Sequence, residues 1–166
     1  MKTILITGAT SGIGLAAAKK LANSKNNLIL CGRRQYKLDE ISNELSKITN
    51  VLSLSFDVSN KKEVNKVLEN IPEEFSAIDI LINNAGNAHG LDTIQDGSLD
   101  DWDNMIDSNV KGLLYVSRVI MPKMIEQQSG HIINIGSLAG REVYEKGNIY
   151  CATKHAVNAI SKAMRI

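Results

Sequence analysis

Cysteine, proline and aromatic residues are scarce, with two, two and 4% respectively in a chain of 166 residues. Cys31 and Cys151 make no CxxC pair, and His and Cys nowhere cluster at metal-ligand spacing. No metal site is expected, and a reducing cytoplasm fits best. No Asn-X-Ser/Thr sequon occurs. Charge of one sign is lacking too: 19 Lys plus Arg against 18 Asp plus Glu leave a net charge of +1. That balance argues against nucleic acid as a partner. No apolar run is long enough to cross a membrane, and the apolar stretch at the N-terminus is too short for a signal peptide.

What the chain does have is a core. A 43% hydrophobic content suffices to bury one domain and excludes disorder as the main reading. Short β-branched runs alternate with helical-period segments, a rhythm that predicts an α/β fold with a doubly wound parallel sheet. The expected strands are Thr3 to Thr7, Asn27 to Cys31, Val51 to Ser55, Asp79 to Ile82 and His131 to Ile135, each mostly apolar as buried parallel strands are. Helical spacing marks Leu15 to Ala22, Leu38 to Ile48, Val64 to Ile71 after the cap-like Ser59-Asn60, and Asp101 to Asp107. A longer helix is expected from Asn109 to Gln127, with Pro122 a candidate kink, and a last one from Asn148 to Ile166 without a stop signal.

The first strand runs into Thr7-Gly8-Ala9-Thr10-Ser11-Gly12-Ile13-Gly14 and then a helix. This is the context of a dinucleotide site: the glycines permit a tight turn and close backbone approach, and the helix N-terminus offers unpaired N–H groups to a pyrophosphate. A phosphoryl-transfer loop would need Lys and Ser or Thr after the last glycine, where Leu15-Ala16 stand. The second strand ends Cys31-Gly32-Arg33-Arg34. An NAD site would place a carboxylate there for the ribose hydroxyl, whereas two guanidiniums suit the 2′-phosphate of NADP(H).

Tyr150 and Lys154 lie four apart in one helix and share a face. A free phenol holds its proton too tightly to serve as a base at neutral pH, but a nearby cation favours the phenolate, making Tyr150 a general acid/base candidate. Ser137 follows the fifth strand at its carboxyl end, where open α/β sheets bind ligands, and its hydroxyl can donate to a carbonyl oxygen. Arg141 and Tyr144 are candidates to meet a substrate carboxylate; His89 reads as a solvated loop residue.

Together, the glycine turn, Asp57-Val58, Asn83-Asn84-Ala85-Gly86, Asn109, Ser137 and Tyr150-x-x-x-Lys154 resemble the short-chain dehydrogenase/reductase family along essentially the whole chain. The resemblance implies a Rossmann-like single catalytic domain over 1–166. Gly8, Thr10, Ser11, Gly12, Ile13 and Gly14 would hold the pyrophosphate, Arg33 and Arg34 the 2′-phosphate, and Asp57 with Val58 the adenine. Asn84, Ala85 and Gly86 would line the cofactor channel. Tyr150 would exchange the substrate proton, Lys154 would bind the nicotinamide ribose and assist Tyr150, Ser137 would position the substrate oxygen, and Asn109 would hold a water in the proton relay. Within the family the sequence looks most like the NADP-dependent 3-hydroxy acid dehydrogenases, which act on serine, L-allo-threonine and related secondary alcohols or the matching ketones.

Family members run to roughly 250 residues as one domain, so the resemblance implies a chain incomplete at its C-terminal side, without the last strands and the substrate loop. The fifth strand is then expected to expose an edge, and a dimer or tetramer of the full-length protein to cover helix faces. Weak turnover, or cofactor binding without turnover, is expected of the 166 residues alone.

Overall fold

Ile4, Leu5 and Ile6 are all buried, although neighbouring side chains in a strand point to opposite sides of a sheet. Both faces must therefore be covered, and the fold follows from that requirement. The computed structural model describes residues 1–165. Its sheet has five parallel strands in the order β3-β2-β1-β4-β5: β1 (Lys2–Thr7), β2 (Asn26–Gly32), β3 (Val51–Ser55), β4 (Ile78–Asn83) and β5 (His131–Asn134). Ile4 and Ile6 join Leu28 and Leu30 in a core shared with Ala18 of α1 (Gly12–Leu21) and Leu38, Ile41 and Leu45 of α2 (Gln35–Leu45). Leu5 faces the other way, with Ile29 and Cys31, toward Val64 and Leu68 of α3 (Lys61–Leu68) and toward Val116 and Ile120, which lie further along the chain. The sheet is doubly wound, as the alternation of elements predicts.

Three features escape the sequence pattern. A short helix α4 (Glu73–Ser76) seats Phe75 under the core before β4. α5 (Leu99–Ile106) runs into α6 (Leu113–Glu126) as expected, but through a wide π-helical turn, Asp107–Gly112. A 3₁₀ turn, Leu138–Gly140, stands between β5 and α7 (Asn148–Ala163), pressed so closely on α7 that a Cβ at Gly140 would lie 2.6 Å from the Lys154 carbonyl oxygen. The last helix ends at Ala163 with Met164 as its cap, and Ile166 lies outside the described residues. Pro122 sits inside a continuous α6.

β5 lies at the sheet edge, as expected, and Ile133 is 36% exposed there. Its alignment with β4 brings Asn83 opposite Asn134. Asn83 Nδ2 donates to Asn134 Oδ1 at 2.9 Å and to Ser117 Oγ at 3.0 Å, and Asn134 Nδ2 donates to Ser161 Oγ at 2.9 Å. This chain of amides and hydroxyls joins β4 and β5 to α6 and α7.

Truncation of Leu5, fully buried in the central strand, is expected to lower stability by about 2–5 kcal/mol. The same change at Ile133 on the edge should cost about 1 kcal/mol or less. Urea unfolding midpoints of Leu5→Ala and Ile133→Ala measure the difference.

Candidate active site

The strand order reverses at β1, so the connections from β1 and β4 leave in opposite directions and open a crevice at their carboxyl ends. A cavity of about 560 Å³ lies there. Its floor is the glycine turn. Gly8 and Gly12 have φ of +66° and +53°, a region that suits glycine. A Cβ at Gly14 would meet Gly8 O and Asn84 Nδ2, each at 2.4 Å, so the α1 N-terminus comes against the turn only because that side chain is absent.

The turn is held from β4. Thr7 Oγ1 accepts the N–H groups of Asn84 and Ala85, both at 3.0 Å, and Asn84 Nδ2 donates to the carbonyls of Thr7 at 2.9 Å and Gly8 at 3.1 Å. The Asn84 side chain thus clamps the glycine turn. Ala85, Gly86 and Asn87 continue along the cavity.

At the end of β2, Arg34 Nη2 donates to Thr10 Oγ1 at 2.7 Å and Ser11 Oγ at 3.0 Å, which lays its guanidinium beside the glycine turn. Arg33 Nη1 stands 3.4 Å from Asp57 Oδ2, with 73% of the arginine side chain exposed. Both arginines line the same cavity as Asp57 and Val58. Ser59 donates its N–H and its hydroxyl to Asp57 Oδ1 at 2.9 and 2.8 Å. Partial burial pushes the Asp57 carboxyl up, but the two Ser59 bonds and the Arg33 charge outweigh it and hold the group below the ordinary carboxylate range.

Tyr150 and Lys154 reach the other end of the cavity from α7. Lys154, 9% exposed, donates from Nζ to the Ile135 carbonyl at 2.9 Å and stands 5.9 Å from the centroid of the Tyr150 ring. Burial lowers its pKa from that of a free amine.

Asn109 is 2% exposed and lies in the π-helical turn. Its Nδ2 donates to Asn87 O at 2.8 Å and Thr153 Oγ1 at 3.1 Å, while its Oδ1 accepts from Asn87 N at 2.8 Å. The Asn109 side chain thereby ties the cavity wall at Asn87 to α7 beside Lys154. Asn87 and Thr153 carried no sequence signal, since both bonds are tertiary.

Ser137 lies just beyond the carboxyl end of β5, as expected. Its Oγ accepts from Ala139 N at 3.1 Å, capping the 3₁₀ turn, and it lines a neighbouring hollow with Arg141 and Lys154. Gly136, one residue earlier, enters the main cavity. Arg141 lines that neighbouring hollow and not the main cavity. Tyr144 and His89, by contrast, line a third hollow of about 460 Å³ that Tyr150 also borders, together with Lys146 and Asn148.

The lowered Asp57 pKa fixes a sign. Its contribution to stability is complete above the unfolded carboxylate pKa and is lost as pH falls through the folded value. Asp57→Asn is expected to destabilise by less than about 1 kcal/mol at pH 7, since the pair is largely solvated. The gap from the unchanged chain should close in acid, read from urea midpoints at several pH values.

Comparison with known proteins matches this arrangement. The profile of the family described as short chain dehydrogenase matches residues 2–166. An NADP-dependent 3-hydroxy acid dehydrogenase of Schizosaccharomyces pombe is 46% identical over 167 residues, covering 99% of this chain and 64% of that protein. The NADP-dependent 3-hydroxy acid dehydrogenase YdfG of Escherichia coli K12 is 42% identical over 162 residues, again 98% of this chain but 64% of the relative. Among solved structures, serine dehydrogenase in a closed form complexed with NADP+ superposes with a TM-score of 0.92 at 41% identity, over 98% of this chain and 65% of that one. The chain thus spans a little under two thirds of the length of these curated relatives. On the profile match and these identities, it belongs to the short-chain dehydrogenase family.

Proposed function

We propose that this chain carries the cofactor site and the acid/base residues of an NADP(H)-dependent oxidoreductase, interconverting a secondary alcohol and a ketone. The observation that carries the reading is one continuous cavity with a phosphate turn and two arginines at one end and Tyr150 with Lys154 at the other. A cofactor-only role leaves the Tyr150 phenol without an acid/base task, whereas an oxidoreductase needs it, with Lys154 beside it.

The residues present fit the cofactor. The side-chain-free cradle at Gly8 and Gly14 and the N–H groups opening α1 at Gly12, Ile13 and Gly14 suit a pyrophosphate, with the Thr10 and Ser11 hydroxyls beside it. Arg33 and Arg34 suit a 2′-phosphate, with Asp57 and Val58 flanking the adenosine end. When bound, the nicotinamide exchanges hydride with the carbinol carbon of the substrate. Tyr150 would take the hydroxyl proton in oxidation and return it in reduction. The Lys154 cation would stabilise negative charge on the phenol oxygen as that proton leaves. Ser137 would orient the substrate oxygen, and Asn109 would position α7 and the cavity wall. The named activities of the relatives support a small 3-hydroxy acid such as serine or L-allo-threonine as substrate.

No helix among the described residues is long and apolar enough to cross a membrane. Buried, unpaired Cys31 and Cys151 support a cytoplasmic setting. Exposed Leu114 and Ile125 on α6 support a homo-oligomer, dimer or tetramer. A small molecule, and not nucleic acid, is the proposed ligand.

Two measurements on the native polypeptide carrying this sequence test the reading. Replacing Arg33 and Arg34 together by Ala is expected to weaken NADPH binding by roughly 10- to 100-fold, the worth of charged hydrogen bonds to one phosphate, and to leave NADH binding nearly unchanged. Equal losses for the two cofactors would overturn the assignment of that turn. Tyr150→Phe should lower kcat by about 10²- to 10⁴-fold, the usual scale of acid/base catalysis, while NADPH titration by fluorescence stays close to that of the unchanged protein.

A further inference from the structure

The hollow that Tyr150 borders on its far side from the glycine turn is closed by a four-residue turn, Tyr144 to Gly147, whose Gly147 N–H donates to the Tyr144 carbonyl at 3.0 Å. Lys146 is its third residue and has φ of +62°. Glycine or asparagine normally takes such a position, because a Cβ is strained there. Among the described residues only one other non-glycine, Gln128, has positive φ. It follows Gln127, the C-cap of α6, where a left-handed residue is an ordinary helix stop. Lys146 has no such explanation, and strain of this kind collects at functional sites.

The turn is fixed in place. The Tyr144 ring packs on Gly147 so tightly that a Cβ there would fall 2.5 Å from the ring, and Asn148 Nδ2 donates to the Asp92 carbonyl at 2.7 Å, tying the turn to the loop opposite. The hollow's lining contains Lys146 and His89 and no carboxylate. Among the described residues Lys146 has no ion-pair partner. A strained, unpaired cation on a pinned turn therefore borders the space beside the Tyr150 phenol.

We propose that Lys146 determines specificity for acidic substrates: its ammonium takes the carboxylate of a short hydroxy acid whose hydroxyl is presented to Tyr150. Recognition is by one charge-assisted hydrogen bond, and no bond of the substrate is made or broken by it. The inference rests on the oxidoreductase reading above and assigns the substrate class within it. It also moves carboxylate recognition away from Arg141, which lies in a different hollow.

The test uses the native polypeptide with NADP+, comparing 3-hydroxybutyrate with its uncharged methyl ester. Lys146→Gly should raise KM for the acid by about tenfold, the scale of a hydrogen bond between charged groups, with kcat and the KM for the ester unchanged. Binding of the unreactive acid 3-methylbutyrate, followed through NADPH fluorescence, should weaken by a similar factor. Lys146→Arg should keep most of the preference. Because glycine accepts positive φ without strain, Lys146→Gly should also melt no lower than the unchanged protein, which separates lost recognition from lost folding. Equal changes for acid and ester, or an acid KM that does not move, would overturn the assignment of Lys146 alone. An unchanged protein that oxidises neither compound would overturn the oxidoreductase reading together with it.

Discussion

The hydrogen bonds between Thr7 and Asn84 hold the site together. They cross from the end of the central strand to the end of its neighbour at the point where the sheet reverses direction, and they involve both side chains and both backbones. A glycine turn gains its usefulness from being open and loses rigidity for the same reason. Here the rigidity comes from outside the turn. The Thr7 hydroxyl uses its acceptor capacity on two N–H groups of the β4 exit, while the Asn84 amide returns both protons to the carbonyls of the turn. Every group that faces the cavity from β1 is thereby referred to β4.

A second tie does for the other half of the cavity what Asn84 does for the first. Asn109 joins the wall at Asn87 to Thr153, one residue before Lys154, and it reaches both because the helix carrying it widens into a π turn at that point. Such widenings recur at functional sites because they re-aim a side chain without ending the helix. The two halves meet at Ile135, whose carbonyl receives the Lys154 ammonium and whose strand lies beside β4. The cavity is therefore framed by hydrogen bonds between elements distant in sequence, while the apolar cores on both faces of the sheet supply the stiffness behind them.

Much of this was legible in the sequence. All five strands end within one residue of the positions set by their apolar runs, because strands buried on both faces read as nearly unbroken Val, Ile and Leu. The glycine turn, the arginine pair and Tyr150 with Lys154 were legible as one site because their residue types and spacing stand out locally, and they line one cavity. The π turn was not, since the bonds that accompany it run from Asn109 to residues 22 and 44 positions away. Nor was the strained turn at Lys146, where the residue type argues against the conformation adopted. Local pattern made Arg141 a candidate to meet the substrate and left His89 to solvent; Arg141 lines a neighbouring hollow, while His89 is exposed as expected and lines the hollow that Tyr150 borders.

The paired asparagines of β4 and β5 bear on this geometry in one more way. β5 is short, and its two isoleucines point to opposite faces, so hydrophobic pattern alone barely distinguishes its alignment from one slipped by a residue. The Asn83–Asn134 amide bond does distinguish them, because a slip removes one of the two bonds made by the buried Asn83 amide, at a cost of about 0.5–1.5 kcal/mol. The same slip would carry the Ile135 carbonyl about 3.3 Å along the strand. That exceeds the full 2.9 Å of its hydrogen bond from Lys154. Two amides outside the lining of the main cavity thus act as an alignment key for Lys154.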